Sequence, residues 1–180
     1  MPLTSNTLGQ AYALTVLTPI RPDARADLCA LLASFGRNGS PFAALGRTHF
    51  ARWVVVDDFI NDPSQRTEDH VACPYLLFTA TLDGEFDSYL NVLCATDWAA
   101  QVWGACIGAP DPAAGPALKA YLRHNQIDTG LFFSAYPDAR AEHVRRCLDL
   151  RERLIDFAAA AQAMEPETLK SEFIDRFGAA

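Results

Sequence analysis

Two strand-like segments, joined by a polar loop and followed at once by an amphipathic helix, constrain this chain more than anything else in it. The first, Thr48 to Asp57, alternates two sets of side chains: His49, Ala51, Trp53 and Val55 on one side, Phe50, Arg52, Val54 and Val56 on the other. The second, Tyr75 to Leu82, puts Leu76, Phe78, Ala80 and Leu82 on one face and the less apolar set Tyr75, Leu77, Thr79 and Thr81 on the other. Asp83-Gly84 then turns the chain, with Asp83 placed to cap a helix in which Phe86, Tyr89, Leu90, Leu93 and Cys94 form one stripe. Between the strands, Asp58 to Ala72 is polar and reads as an exposed, mobile loop.

The remaining elements assemble around this unit. Ala11 to Thr18 is rich in strand formers and ends at Pro19. Pro22, Asp23 and Asp27 suit the first turn of a helix whose stripe is Leu28, Leu31, Leu32 and Phe35, with Gly36 as its stop. Helical patterns recur at Asp97–Ile107 and Ala117–His124. Gly130 to Tyr136 reads as a fourth strand, and Pro137-Asp138 opens a long helix with the stripe Val144, Cys147, Leu148, Leu154, Ile155 and Ala158. Thr168 to Phe177 forms an amphipathic tail. Residues 1–9 are expected to be frayed, residues 10–162 to form one domain, and residues 163–180 the tail.

The order of elements predicts an α+β fold: a ferredoxin-like split βαβ with a four-stranded antiparallel sheet, helices on one face, and inserted and C-terminal helices. Such a sheet leaves its other face uncovered, and that face is too apolar here to remain wet. A second copy of the chain is the expected cover.

Composition removes several classes of function. The chain has 180 residues, enough for one sizeable core. Its formal charge of −7 argues against nucleic-acid binding and against attraction to anionic membranes. No apolar run approaches the roughly 18 residues of a membrane span. The amino terminus lacks the pattern of a secretory signal, so the cytoplasm is the expected compartment for the five cysteines, which have no regular spacing. There is no Gly-x-Ser-x-Gly elbow, phosphate loop, His-Glu-x-x-His or dinucleotide fingerprint.

The segment Thr48-His49-Phe50-Ala51-Arg52-Trp53-Val54-Val55, then Tyr75-Leu76-Leu77-Phe78 and Asp83-Gly84-Glu85-Phe86, resembles the dimeric α+β barrel superfamily at the level of the fold, over roughly residues 10–160. The resemblance implies a homodimer binding a small, mostly apolar organic molecule, with oxidative chemistry as in its structural relatives. The haem peroxidases of that superfamily carry Gly-x-x-Asp-Gly, of which only Asp83-Gly84 is present. A haem enzyme, with His49, His70, His124 or His143 as axial ligand, is therefore the third reading. A non-enzymatic assembly protein is the second.

Candidate catalytic residues are His49 and His124, as base or ligand. Candidate ligand-binding residues are Arg52 as an anion clamp and Trp53, Thr79, Trp103 and Tyr136 as walls. Strict alternation sends His49 and Arg52 to opposite faces. His70 with Cys73 and His143 with Cys147 have spacings that could ligate zinc, yet Cys147 lies on an apolar stripe, and no metal site is assigned. The segment bearing Trp98, Trp103, Tyr121 and His124 is either a lid on the sheet or an extra helical layer.

Overall fold

A computed structural model describes residues 6–178. They divide into two compact units, residues 1–141 and 142–180. This division falls at the start of the long helix, whereas the sequence pattern placed the boundary at residue 162.

The first unit is an α+β structure with one four-stranded antiparallel sheet: β1 (Thr7–Leu8), β2 (Ala11–Pro19), β3 (Thr48–Val56) and β4 (Tyr75–Asp83), in the order β1-β2-β4-β3. β4 lies between β2 and β3, opposing Thr15 to Thr79 on one side and Arg52 to Thr79 on the other. The strand connection from β2 to β3 runs through α1 (Arg25–Asn38). α2 (Phe86–Leu93), α3 (Asp97–Gly104) and α4 (Gly115–His124) follow β4.

The period-2 pattern explains which face these helices cover. Leu14 and Val16 of β2 and Leu76, Phe78, Ala80 and Leu82 of β4 are buried against Leu28 of α1, Tyr89, Leu90 and Leu93 of α2, Val102 and Trp103 of α3, and Leu118 and Leu122 of α4. At the centre sits a cluster of rings. Phe42 packs on Trp53 at 4.7 Å and on Trp98 at 5.1 Å between centroids, and Phe78 meets Trp103 edge-on at 5.3 Å. The segment carrying Trp98 and Trp103 is thus a further helical layer on this face and no lid on the other.

Phe42 comes from a 3-10 turn, Pro41–Leu45, which Ser40 caps by accepting the Phe42 N–H. α1 runs through Gly36 and ends at Gly39, whose φ of 89° terminates it.

The fourth strand differs from the expectation. Gly130 to Tyr136 has no strand structure; the outer position beside β2 is taken by Thr7–Leu8 and by a single bridge between Val16 and Gln126. Thr7 and Leu8 fall within the stretch expected to be frayed, while residues 1–5 lie outside those described. Gly9, at φ 59°, takes the first position of the two-residue hairpin turn between β1 and β2.

In residues 142–180, most of α5 (Ala141–Ala161) pairs with α6 (Pro166–Phe177) through the rings of Phe157, Phe173 and Phe177. The guanidinium of Arg153 lies over Phe177, and that of Arg176 over Phe157. Part of the stripe expected to be core is at the surface of this unit: Cys147, Leu154, Ile155 and Ala158, together with Leu150 and Arg151 from outside the stripe, line an open groove of about 370 Å³. Among the described residues, no helix is long and apolar enough to cross a membrane.

Candidate functional site

The sheet face away from the helices is hollow at its centre, and the hollow follows from residue size. Ala13 and Thr15 on β2 and Thr79 and Thr81 on β4 are small, while Phe50 on β3 stands up beside them. Above the sheet passes a strap, residues 128–140, in irregular conformation. Its start is tied by Asn6, which donates to Asp128 Oδ1 at 3.1 Å and accepts the Thr129 N–H at 2.7 Å. Its end is tied by the Pro137 carbonyl, which accepts the Gln10 N–H at 2.8 Å. Gly9 permits this approach, since a Cβ there would lie 2.6 Å from Asp138 Oδ1. Between the ties, Phe132 turns into the hollow and closes one side of a cavity of about 490 Å³.

Three of the polar groups in the cavity form a row. Thr15, Thr79 and Arg52 are direct neighbours across three adjacent strands, and Arg52 Nε donates to Thr79 Oγ1 at 3.1 Å. Among the described residues, no histidine, cysteine, methionine or tyrosine lines the cavity. An axial ligand for haem is therefore missing from its donor set, and the haem reading does not fit these walls.

His49 forms a second polar centre. A β-bulge between Thr48 and Phe50 inserts it as an extra residue opposite β4, so strict alternation fails at that position. Thr48 turns to the helix side, its hydroxyl 3.0 Å from that of Tyr89. His49 Nε2 instead meets Asp83 Oδ1 at 2.5 Å, and β4 alternation puts Asp83 on the same face as Thr79 and Thr81. The expected separation of His49 and Arg52 onto opposite faces is corrected by this one residue. Asp83 is only 4% exposed, and its other oxygen accepts the Ala141 N–H at 2.6 Å. It does not cap α2, whose N-cap is Glu85. A carboxylate on Nε2 favours the tautomer with the proton on that nitrogen, leaving Nδ1 as the acceptor.

Of the other residues singled out in the sequence, the structure brings Thr79 to Arg52 and leaves the rest apart. Trp53 and Trp103 belong to the core on the helix side, 6.2 Å apart between ring centroids. His124 is the exposed last residue of α4. Tyr136 lies exposed on the strap outside the cavity lining. His70 is held in the loop by Asp58 Oδ2 at 2.7 Å, and His143 Nε2 lies 3.5 Å from Cys147 Sγ. Among the described residues no group of three or more His, Cys, Asp or Glu side chains could hold a metal.

Sequence reasoning missed Phe132 as a cavity wall, Thr15 as part of the polar row, and Asp83 as the partner of His49. The run Leu131-Phe132-Phe133 was visible, but as a strand. Thr15 could have been found from the alternation of β2, which aligns it with Thr79 once the pairing is known.

No family model matches the chain, and neither curated proteins nor solved structures provide a relative. The chemistry of the site must therefore be read from its own residues.

Proposed function

We propose that this protein binds a small, mostly apolar organic molecule on the uncovered face of its sheet, as a homodimer of ferredoxin-like protomers. The observation that carries the reading is the cavity of about 490 Å³, walled by Phe50 and Phe132 and floored by small residues around Arg52 and Thr79. A mostly apolar hollow of this size with a few converging polar groups is the usual form of a small-molecule site.

Support for the split βαβ arrangement comes from β4 lying between the two strands that α1 connects. Its outer fourth position is occupied by β1 and the Gln126 bridge in place of a long last strand. Support for a second copy comes from Phe50 on β3 and Leu131, Phe133 and Tyr136 on the strap, each at least 78% exposed. So much apolar surface around one face is characteristic of an interface. The five free cysteines accord with a reducing, cytoplasmic location. The His49–Asp83 pair is the one general base we assign near this face, and it would serve oxidative or proton-transfer chemistry on the bound molecule.

A neutral fluorescent probe, N-phenyl-1-naphthylamine, tests the reading. The wild type should bind it with enhanced emission. Phe132→Ala should weaken binding several-fold, and Thr81→Trp, which fills the cavity, should abolish it, both with little change in melting temperature. Equal binding by all three proteins would show that the cavity is not the site. A protein that binds no probe and is a dimer by light scattering would instead be an assembly protein whose sheet faces pack on each other.

A further inference from the structure

We infer that the molecule held in this cavity carries a carboxylate, recognised by Arg52 together with the hydroxyls of Thr15 and Thr79. The inference rests on the cavity proposed above and names the class of its ligand.

The chain is acidic, with 22 carboxylate side chains against 15 lysines and arginines, and several of its arginines pair with an acid, while others such as Arg21, Arg47 and Arg140 bond neutral partners. Arg25 grips Asp57 through two nitrogens, Arg123 reaches Asp87, and Arg146, Arg153 and Arg176 each face an acid one helical turn away. Among the described residues, Arg52 faces none. Its one hydrogen bond among the described residues runs from Nε to a neutral hydroxyl, Thr79 Oγ1. Both terminal nitrogens of its fork thus remain available among the described residues, in a hollow whose walls include Ala13, Phe50 and Phe132. Arg52 is exposed to solvent at this hollow, and the planar pair of donors on its guanidinium matches a carboxylate in a bidentate manner.

The hydroxyls point to the same chemistry. Thr79 Oγ1 is occupied as an acceptor by Arg52, which leaves its own proton to donate. Thr15 lies directly across the strand pair from Thr79, and neither it nor Thr81 has a side-chain hydrogen-bond partner among the described residues. Two hydroxyl donors beside one guanidinium suit a singly charged, planar anion. The apolar walls then take the body of the molecule, so an aromatic or alicyclic monocarboxylic acid fits the whole site.

Calorimetric titration with naphthalene-2-carboxylate and its neutral isostere 2-naphthamide tests this. The wild type should bind the carboxylate more than tenfold tighter than the amide, with the preference weakening as salt is raised. Arg52→Gln should bring the two affinities together by weakening the carboxylate alone, and Arg52→Lys should restore part of the preference. Phe132→Ala should weaken both ligands by a similar factor. If wild type binds both ligands equally and Arg52→Gln changes neither, the cavity stands and the carboxylate inference is overturned. If neither ligand binds the wild type, the cavity reading fails and takes this inference with it.

Discussion

A carboxylate with 4% of its surface in water needs hydrogen-bond donors, and Asp83 has the His49 ring on one oxygen and the Ala141 N–H on the other. Removing it takes away both of these hydrogen bonds, so Asp83→Ala should lower the unfolding free energy by about 1–3 kcal/mol in urea titrations. His49→Ala should cost less, because Asp83 keeps its second donor. The double variant should fall short of the sum, as expected for residues in one network. Cysteines give a second check at this scale. Burial pushes the Cys94 thiol up to about 12 and also raises that of Cys106, whose sulfur lies 3.3 Å from the Thr18 hydroxyl. Cys147 is exposed. In the folded protein, 5,5′-dithiobis(2-nitrobenzoate) should react fast at Cys147, and Cys147→Ser should remove that phase. Cys94 and Cys106 should react only after unfolding.

Among the elements, β2, β3, β4 and the helices packed on them were legible because their apolar residues recur at the period of the structure they form. The exceptions share a physical cause, contacts that no local pattern contains. Asp83 has the composition of a helix cap, yet its partner is an N–H 58 residues away. His49 has the position of a core-facing strand residue, yet a bulge re-aims it. Leu131-Phe132-Phe133 has the propensity of a strand, yet finds no neighbouring strand to bond with and becomes a strap. The loop between β3 and β4 is exposed, as composition indicated, but its side chains fold back on it. Asn61 and Asp69 exchange hydrogen bonds, and Asp58 receives the His70 ring and the Val71 and Phe59 N–H groups. These donors, the His70 ring foremost, lower the Asp58 carboxyl from its ordinary 3.8 to about 2. A depressed carboxyl supports the loop fully above its ordinary value and loses that support as pH falls through the depressed one. Cleavage of this loop by pepsin should therefore rise steeply as pH drops from about 4 to about 2. Asp58→Asn should make the loop sensitive to thermolysin already at neutral pH.

For the whole molecule, the division at residue 141 has a direct consequence. Every buried residue of the main core cluster lies between Leu14 and Leu122, within the first unit. A chain ending at Ala141 keeps the strap, the Asp83 contact and the cavity, and should unfold in one cooperative transition by near-ultraviolet circular dichroism. Loss of that transition would mean that the first unit depends on the second. Within the first unit, Phe78→Ala should cost about 3–5 kcal/mol, because Phe78 stacks on Phe42 and meets Trp53 and Trp103 at once.

The ring cluster also decides how this protein can be watched. All three tryptophans, Trp53, Trp98 and Trp103, stand on the helix side of the sheet within about 6 Å of a neighbouring indole. Their emission reports the packing of the core and is well placed to follow its melting. A molecule entering the cavity touches none of them, because β4 and its neighbours stand between. Intrinsic fluorescence would then stay nearly silent during binding, and a screen relying on it would miss an occupant that heat measurements or the occupant's own emission would register.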